Sequence, residues 1–150
     1  MREGLVVAFD VLLIRLGDNT LSKYFTEHSN KKTELYIPFG IRRKVEESIT
    51  DEKQTTEWHK LIKEAIQQRI VVNSLHKYTL KSEFKKLYHK LKSLNEKLIP
   101  IERNLIALSF QLGFAVDTDD DRLIRTINEV KTTPHLQKFA SKLLSREKIS

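Results

Sequence analysis

Carboxylates are the side chains of this 150-residue chain with the strongest claim to chemistry. Asp10 stands inside an apolar run that reads Leu5-Val6-Val7-Ala8-Phe9-Asp10-Val11-Leu12-Leu13-Ile14. A charge inside an apolar strand is costly unless a partner or a metal ion offsets it. Glu102 opens a helical segment, and Asp117, Asp119, Asp120 and Asp121 crowd the turn after Phe114-Ala115-Val116. Carboxylate oxygens suit hard divalent cations such as Mg²⁺ or Mn²⁺, and a bound cation makes crowded like charges tolerable. The same acidic run has a second reading, a solvated turn whose aspartates cap the next helix.

Other chemistries find little footing. The chain has no cysteine, which removes disulfides, thiolate metal sites and a cysteine nucleophile, and fits a reducing compartment. It has no glycine-rich phosphate loop and no serine or histidine in an elbow motif. The histidines (28, 59, 76, 89 and 135) are scattered without metal-ligand spacing. Trp58 falls on an apolar helix face and reads as core.

Around the acids lie many cations. Lys and Arg number 27 against 20 Asp and Glu, a net charge of +7 with a pI near 9.6. Such a surface favours polyanions, chiefly nucleic acid. Arg42-Arg43-Lys44 form one basic run, and Arg122 and Arg125 form another beside the acidic turn. In the segment 80–98, Lys81, Lys85, Lys86, Lys90, Lys92 and Lys97 share a face opposite an apolar stripe. That face is either a solvated surface or a phosphate-binding one. Phosphate contacts position a strand without reading its sequence.

The elements that must hold these residues alternate. Apolar runs at 5–14, 35–37, 70–72 and 114–116 are expected to be strands. Helical periodicity is expected at 20–28, 41–49, 51–66, 80–98, 101–112, 123–130 and 136–144, with Pro100 and Gly113 as punctuation. Alternation of this kind argues for an α/β fold, a parallel sheet of four to five strands flanked by helices. The length suits a single domain over residues 1–150. In such a sheet, ligands bind at the carboxyl ends of the strands, where the carboxylates fall. Asp10 and Arg15 interrupt the N-terminal apolar run, and no stretch approaches the roughly 20 residues of a membrane span. A soluble, cytoplasmic protein without a membrane partner is expected.

The stretch Glu102-Arg103-Asn104-Leu105-Ile106-Ala107-Leu108, ending at Gly113 and followed by Phe114-Ala115-Val116-Asp117-Thr118-Asp119-Asp120, resembles the closing half of a PIN domain. The strand carrying Asp10 is similar to that family's first motif, and Leu35-Tyr36-Ile37-Pro38 with the following helix is similar to its second. The similarity spans about residues 5–130 and implies the three-layer PIN-like fold. The resemblance implies a Mg²⁺- or Mn²⁺-dependent endoribonuclease in which the metal activates a water and neutralises charge at phosphorus. It implies metal ligation by Asp10, Glu102 and Asp120, with Asp121 as a fourth ligand and Thr118 orienting a carboxylate or a water. It implies RNA as substrate and, for a small toxin-like member, an antitoxin partner and a homodimer.

Departures from the family pattern carry the alternative, a catalytically degenerate module that binds nucleic acid or protein. Val11 and Leu12 follow Asp10 where small polar residues are usual. Lys44 aligns with the second acidic position, so a shifted helix has to supply Glu46 or Glu47. Glu102 stands where Asp is commoner. A metal site of crowded carboxylates also predicts that Asp10→Asn and Asp120→Asn abolish cleavage and leave the fold intact or slightly more stable without metal.

Overall fold

The N-terminal apolar run divides at Ala8. Glu3–Val7 form strand β1, Ala8 is extended, and Phe9–Gly17 form helix α1. Val6 and Val7 point to opposite faces of the strand, and both are fully buried, so both faces are covered. In α1 the buried side chains are Val11, Leu12 and Leu16. The expected strand over 5–14 is therefore a strand followed by a helix. A short, nearly continuous apolar run does not by its periodicity distinguish a buried strand from a strand that passes into a helix. Asp10 thus sits in the first turn of α1, where the helix dipole favours a negative charge.

The computed structural model describes residues 3–149. Helix α2 (Leu21–Asn30) leads to β2 (Thr33–Tyr36), then α3 (Phe39–Ser48) and α4 (Glu52–Gln67). A short helix α5 (Leu75–Tyr78) precedes α6 (Ser82–Leu94) and α7 (Pro100–Leu112). Strand β3 (Ala115–Asp117), α8 (Asp121–Thr132), a 3-10 turn (Gln137–Ala140) and α9 (Ser141–Ile149) complete the chain. The strands are parallel in the order β2-β1-β3, with Leu5 beside both Leu35 and Ala115.

This overturns the expected sheet of four to five strands. The described residues are 68% helix and 9% strand, with one three-stranded sheet. The segment 70–72 contributes only a single parallel bridge, Val71 to Leu35. Arg69 enters it in a left-handed conformation (φ 60°), which breaks an extended run on that side. Beyond it, the Arg42 guanidinium donates to the Ile37 carbonyl at 3.0 Å, the Val72 carbonyl at 2.9 Å and Asn73 Oδ1 at 2.7 Å. Side-chain hydrogen bonds hold the chain there in place of a strand ladder.

Helix α7 is the centre of the molecule. Leu105 to Gln111 are all buried, so the helix is enclosed rather than amphipathic. Pro100 occupies its first turn, where a missing N–H costs nothing. Gly113 ends it at φ 74°, a conformation that glycine adopts without strain. Gly4 serves another purpose: a Cβ there would come within 2.4 Å of the Phe114 ring. The bare strand lets Phe114 lie against β1, with Tyr36 at 5.5 Å and the Arg146 guanidinium of α9 at 4.4 Å from its ring centroid. Among the described residues, no helix is long and apolar enough to cross a membrane.

Candidate functional site

The carboxyl ends of β1 and β3 bring the start of α1 beside the turn 117–120. Asp10 Oδ1 accepts from the Thr118 hydroxyl at 2.8 Å, and Asp10 Oδ2 accepts from the Asp119 backbone N–H at 2.9 Å. The Asp120 N–H donates to Thr118 Oγ1 at 3.0 Å. Thr118 therefore links the two aspartates across 108 residues of sequence. Asp10, Glu102 and Asp120 all line one cleft of about 420 Å³, together with Lys44, Arg122 and apolar side chains that include Phe9, Leu13 and Ile41.

Glu102 is buried, with 8% of its surface exposed. Its Oε1 accepts from the Ile99 N–H at 3.1 Å, which caps α7. Its Oε2 accepts from Arg122 Nη2 at 2.7 Å. The same nitrogen donates to Asp120 Oδ2 at 2.9 Å, and the Arg122 N–H donates to Asp120 Oδ1 at 2.9 Å. Asp120 is also the cap of α8. Hydrogen bonding from Arg122 holds the Asp120 carboxyl below the usual carboxylate range, and Asp120 and Glu102 together raise the guanidinium. Lys44 adds a second cation, its Nζ 4.5 Å from the Phe9 ring centroid.

The other nominated residues lie elsewhere. Asp121 is exposed in the first turn of α8 and does not line the cleft. Glu46 turns toward α4, where Trp58 Nε1 donates to it at 3.4 Å and His59 Nδ1 is 3.9 Å away. Asp117 accepts from the Tyr24 hydroxyl at 2.6 Å, and burial raises the Tyr24 pKa far above its usual value. Arg42 is committed to backbone carbonyls and Asn73. Arg43, Lys86 and Arg125 are exposed. Lys85 lines a second groove beside the cleft. The Arg122 bridge is the feature that sequence reading missed, and nothing local signals it, because Glu102 is 20 residues distant.

With Arg122 in place, the acidic side chains are engaged by the protein's own donors. Among the described residues, no group of three or more acidic or histidine side chains could hold a metal ion. Both Asp10 oxygens already accept hydrogen bonds, and the guanidinium occupies the place between Glu102 and Asp120 where a cation has to stand. What the arrangement does offer is a cleft whose three carboxylates are offset by two internal cations.

The hydrogen bonds also reverse a stability expectation. An asparagine at position 10 can accept from only one of the two donors with its oxygen and turns its NH₂ toward the other. Asp10→Asn is expected to cost about 1–2 kcal/mol in urea denaturation at neutral pH. A midpoint at or above the parent's, with unchanged slope, means that repulsion among the carboxylates outweighs these bonds.

No family model matches this chain, no curated protein is significantly similar to it, and no solved structure matches it significantly.

Proposed function

We propose that this chain is a PIN-like nucleic-acid-binding module whose acidic site is closed by its own cations and does not cut. One observation carries the reading: Arg122 lies between Glu102 and Asp120, with Lys44 in the same cleft. Lys44 is the residue that aligns with the family's second acidic position. Its ammonium occupies ground that a metal-dependent nuclease gives to a carboxylate. The net charge of +7 supports a polyanionic ligand, and RNA is the substrate class of the resemblance. A cytoplasmic location goes with this reading. The convergence of Asp10, Glu102, Asp120 and Thr118 supports a second reading, a Mg²⁺- or Mn²⁺-dependent ribonuclease of toxin type with an antitoxin partner, in which a metal displaces Arg122.

Fluorescence anisotropy with a labelled single-stranded RNA of mixed sequence tests the proposal, beside incubation of that RNA with Mg²⁺, Mn²⁺ or EDTA. The expected result is binding without cleavage in every condition. Affinity should fall with salt at a log–log slope of about −0.7 for each phosphate contact. Cleavage that needs metal and disappears in Asp120→Asn overturns the proposal in favour of the nuclease. Absence of RNA binding at low salt overturns it in favour of a protein-interaction module.

A further inference from the structure

A second groove of about 580 Å³ opens beside the acidic cleft, and Ile101 at the start of α7 borders both. Its chemistry is the opposite of the cleft's. Among the described residues no carboxylate lines it, while Lys85, Tyr88 and His89 of α6 and Asn104 of α7 do. Lys85 is exposed and forms no ion pair among the described residues. The Arg103 guanidinium lies 4.8 Å from the Tyr88 ring centroid, and the His89 ring meets Tyr88 edge-on at 5.2 Å. Tyr88 is thus contacted from α7.

The opposite wall is formed by the start of α3. Gly40, in the first turn of α3, borders the groove, and no side chain caps that helix. Its early N–H groups therefore lack a capping acceptor. Asn104 adds a carboxamide that makes no hydrogen bond within the described residues and presents both a donor and an acceptor.

We infer that this groove is a nucleotide subsite that receives one unit of a single-stranded RNA whose backbone continues past Ile101. The inference rests on the RNA-binding reading above and deepens it. The base lies against Tyr88 and His89, because an aromatic ring stacks on any base regardless of sequence. Lys85 and the uncapped start of α3 take the phosphate, and Asn104 meets the edge of the base. An apolar peptide finds no comparable use for the lysine, the carboxamide and the free N–H groups together.

The test is anisotropy with a fluorescein-labelled ten-nucleotide single-stranded RNA at fixed salt, with Lys85→Ala, Asn104→Ala, Tyr88→Ala and, as a remote control, Lys63→Ala on the exposed face of α4. Each groove variant is expected to lose about tenfold in affinity, within the range of single stacking and charge contacts, while the control changes less than about twofold. Asn104→Ala carries the test if Tyr88→Ala proves poorly folded by circular dichroism. A 5-iodouridine RNA crosslinked to the parent protein gives a second reading that needs no variant, with the adduct expected on the α6 peptide holding Tyr88 and His89. Groove variants that bind like the control, or adducts found only elsewhere, overturn the inference while RNA binding itself stands. A parent protein that binds no RNA removes both together.

Discussion

Arg122→Ala is expected to lower stability by about 2–4 kcal/mol at neutral pH and to make the protein respond to divalent cations. The first effect comes from Glu102. Its carboxylate is buried and keeps only the Ile99 N–H once the guanidinium is gone. Stranding one charge of a fully buried pair costs more than this, but the Arg122 side chain is 44% exposed, so water already offsets part of the interaction. The effect should depend on pH with a definite sign. Asp120 has a folded-state pKa below its unfolded value, so its contribution is present above the ordinary carboxylate range and is lost as pH falls through the lowered value. The difference between parent and variant should therefore shrink in acid.

The cation response follows from charge. Without Arg122, the carboxylates of Asp10, Glu102 and Asp120 share the cleft with Lys44, the sole remaining cation lining it among the described residues. Millimolar Mn²⁺ should then raise the melting temperature of the variant and leave the parent unmoved. Urea denaturation at pH 7 and pH 3, with a thermal shift in Mn²⁺, reads both effects. A loss under about 0.5 kcal/mol with no cation response would sink the view that Arg122 neutralises the site.

Trp58→Ala should cost about 3–5 kcal/mol, the usual range for removing a large core aromatic. Trp58 is fully buried on α4 and is among the largest side chains so enclosed. With a typical domain stability of about 5–15 kcal/mol, the variant will sit near its unfolding threshold at physiological temperature. The same experiment separates Glu46 from the site. Glu46 meets the indole N–H and is 43% exposed, so Glu46→Ala should change stability by less than about 0.5 kcal/mol and leave RNA affinity unaltered. Loss of RNA binding in Glu46→Ala would return that residue to the functional cleft. A Trp58→Ala protein as stable as the parent would mean that α4 is not part of the core.

Features that depend on near neighbours are legible in the order of residues. The stop of α7 at Gly113 is one, because a left-handed residue ends a helix wherever it occurs. The amphipathic faces of α4 and α6 are others, since their apolar spacing is local. The acidic turn 117–120 also declared itself, and it does sit at a strand end beside Asp10. Long-range packing set the rest. It divided the run 5–14 into β1 and α1, a choice that a short, nearly continuous apolar run leaves without a clear periodic signal. It reduced 70–72 to one bridge, because Arg42, some 30 residues away, satisfies the carbonyls that a ladder would have used. It turned Glu46 toward Trp58 and set Arg122 between Glu102 and Asp120. Carboxylates on one chain look alike in sequence. Which of them faces a cation already present in the fold is settled by packing between helices that are distant in sequence, and that packing determines whether an acidic cleft can take a metal.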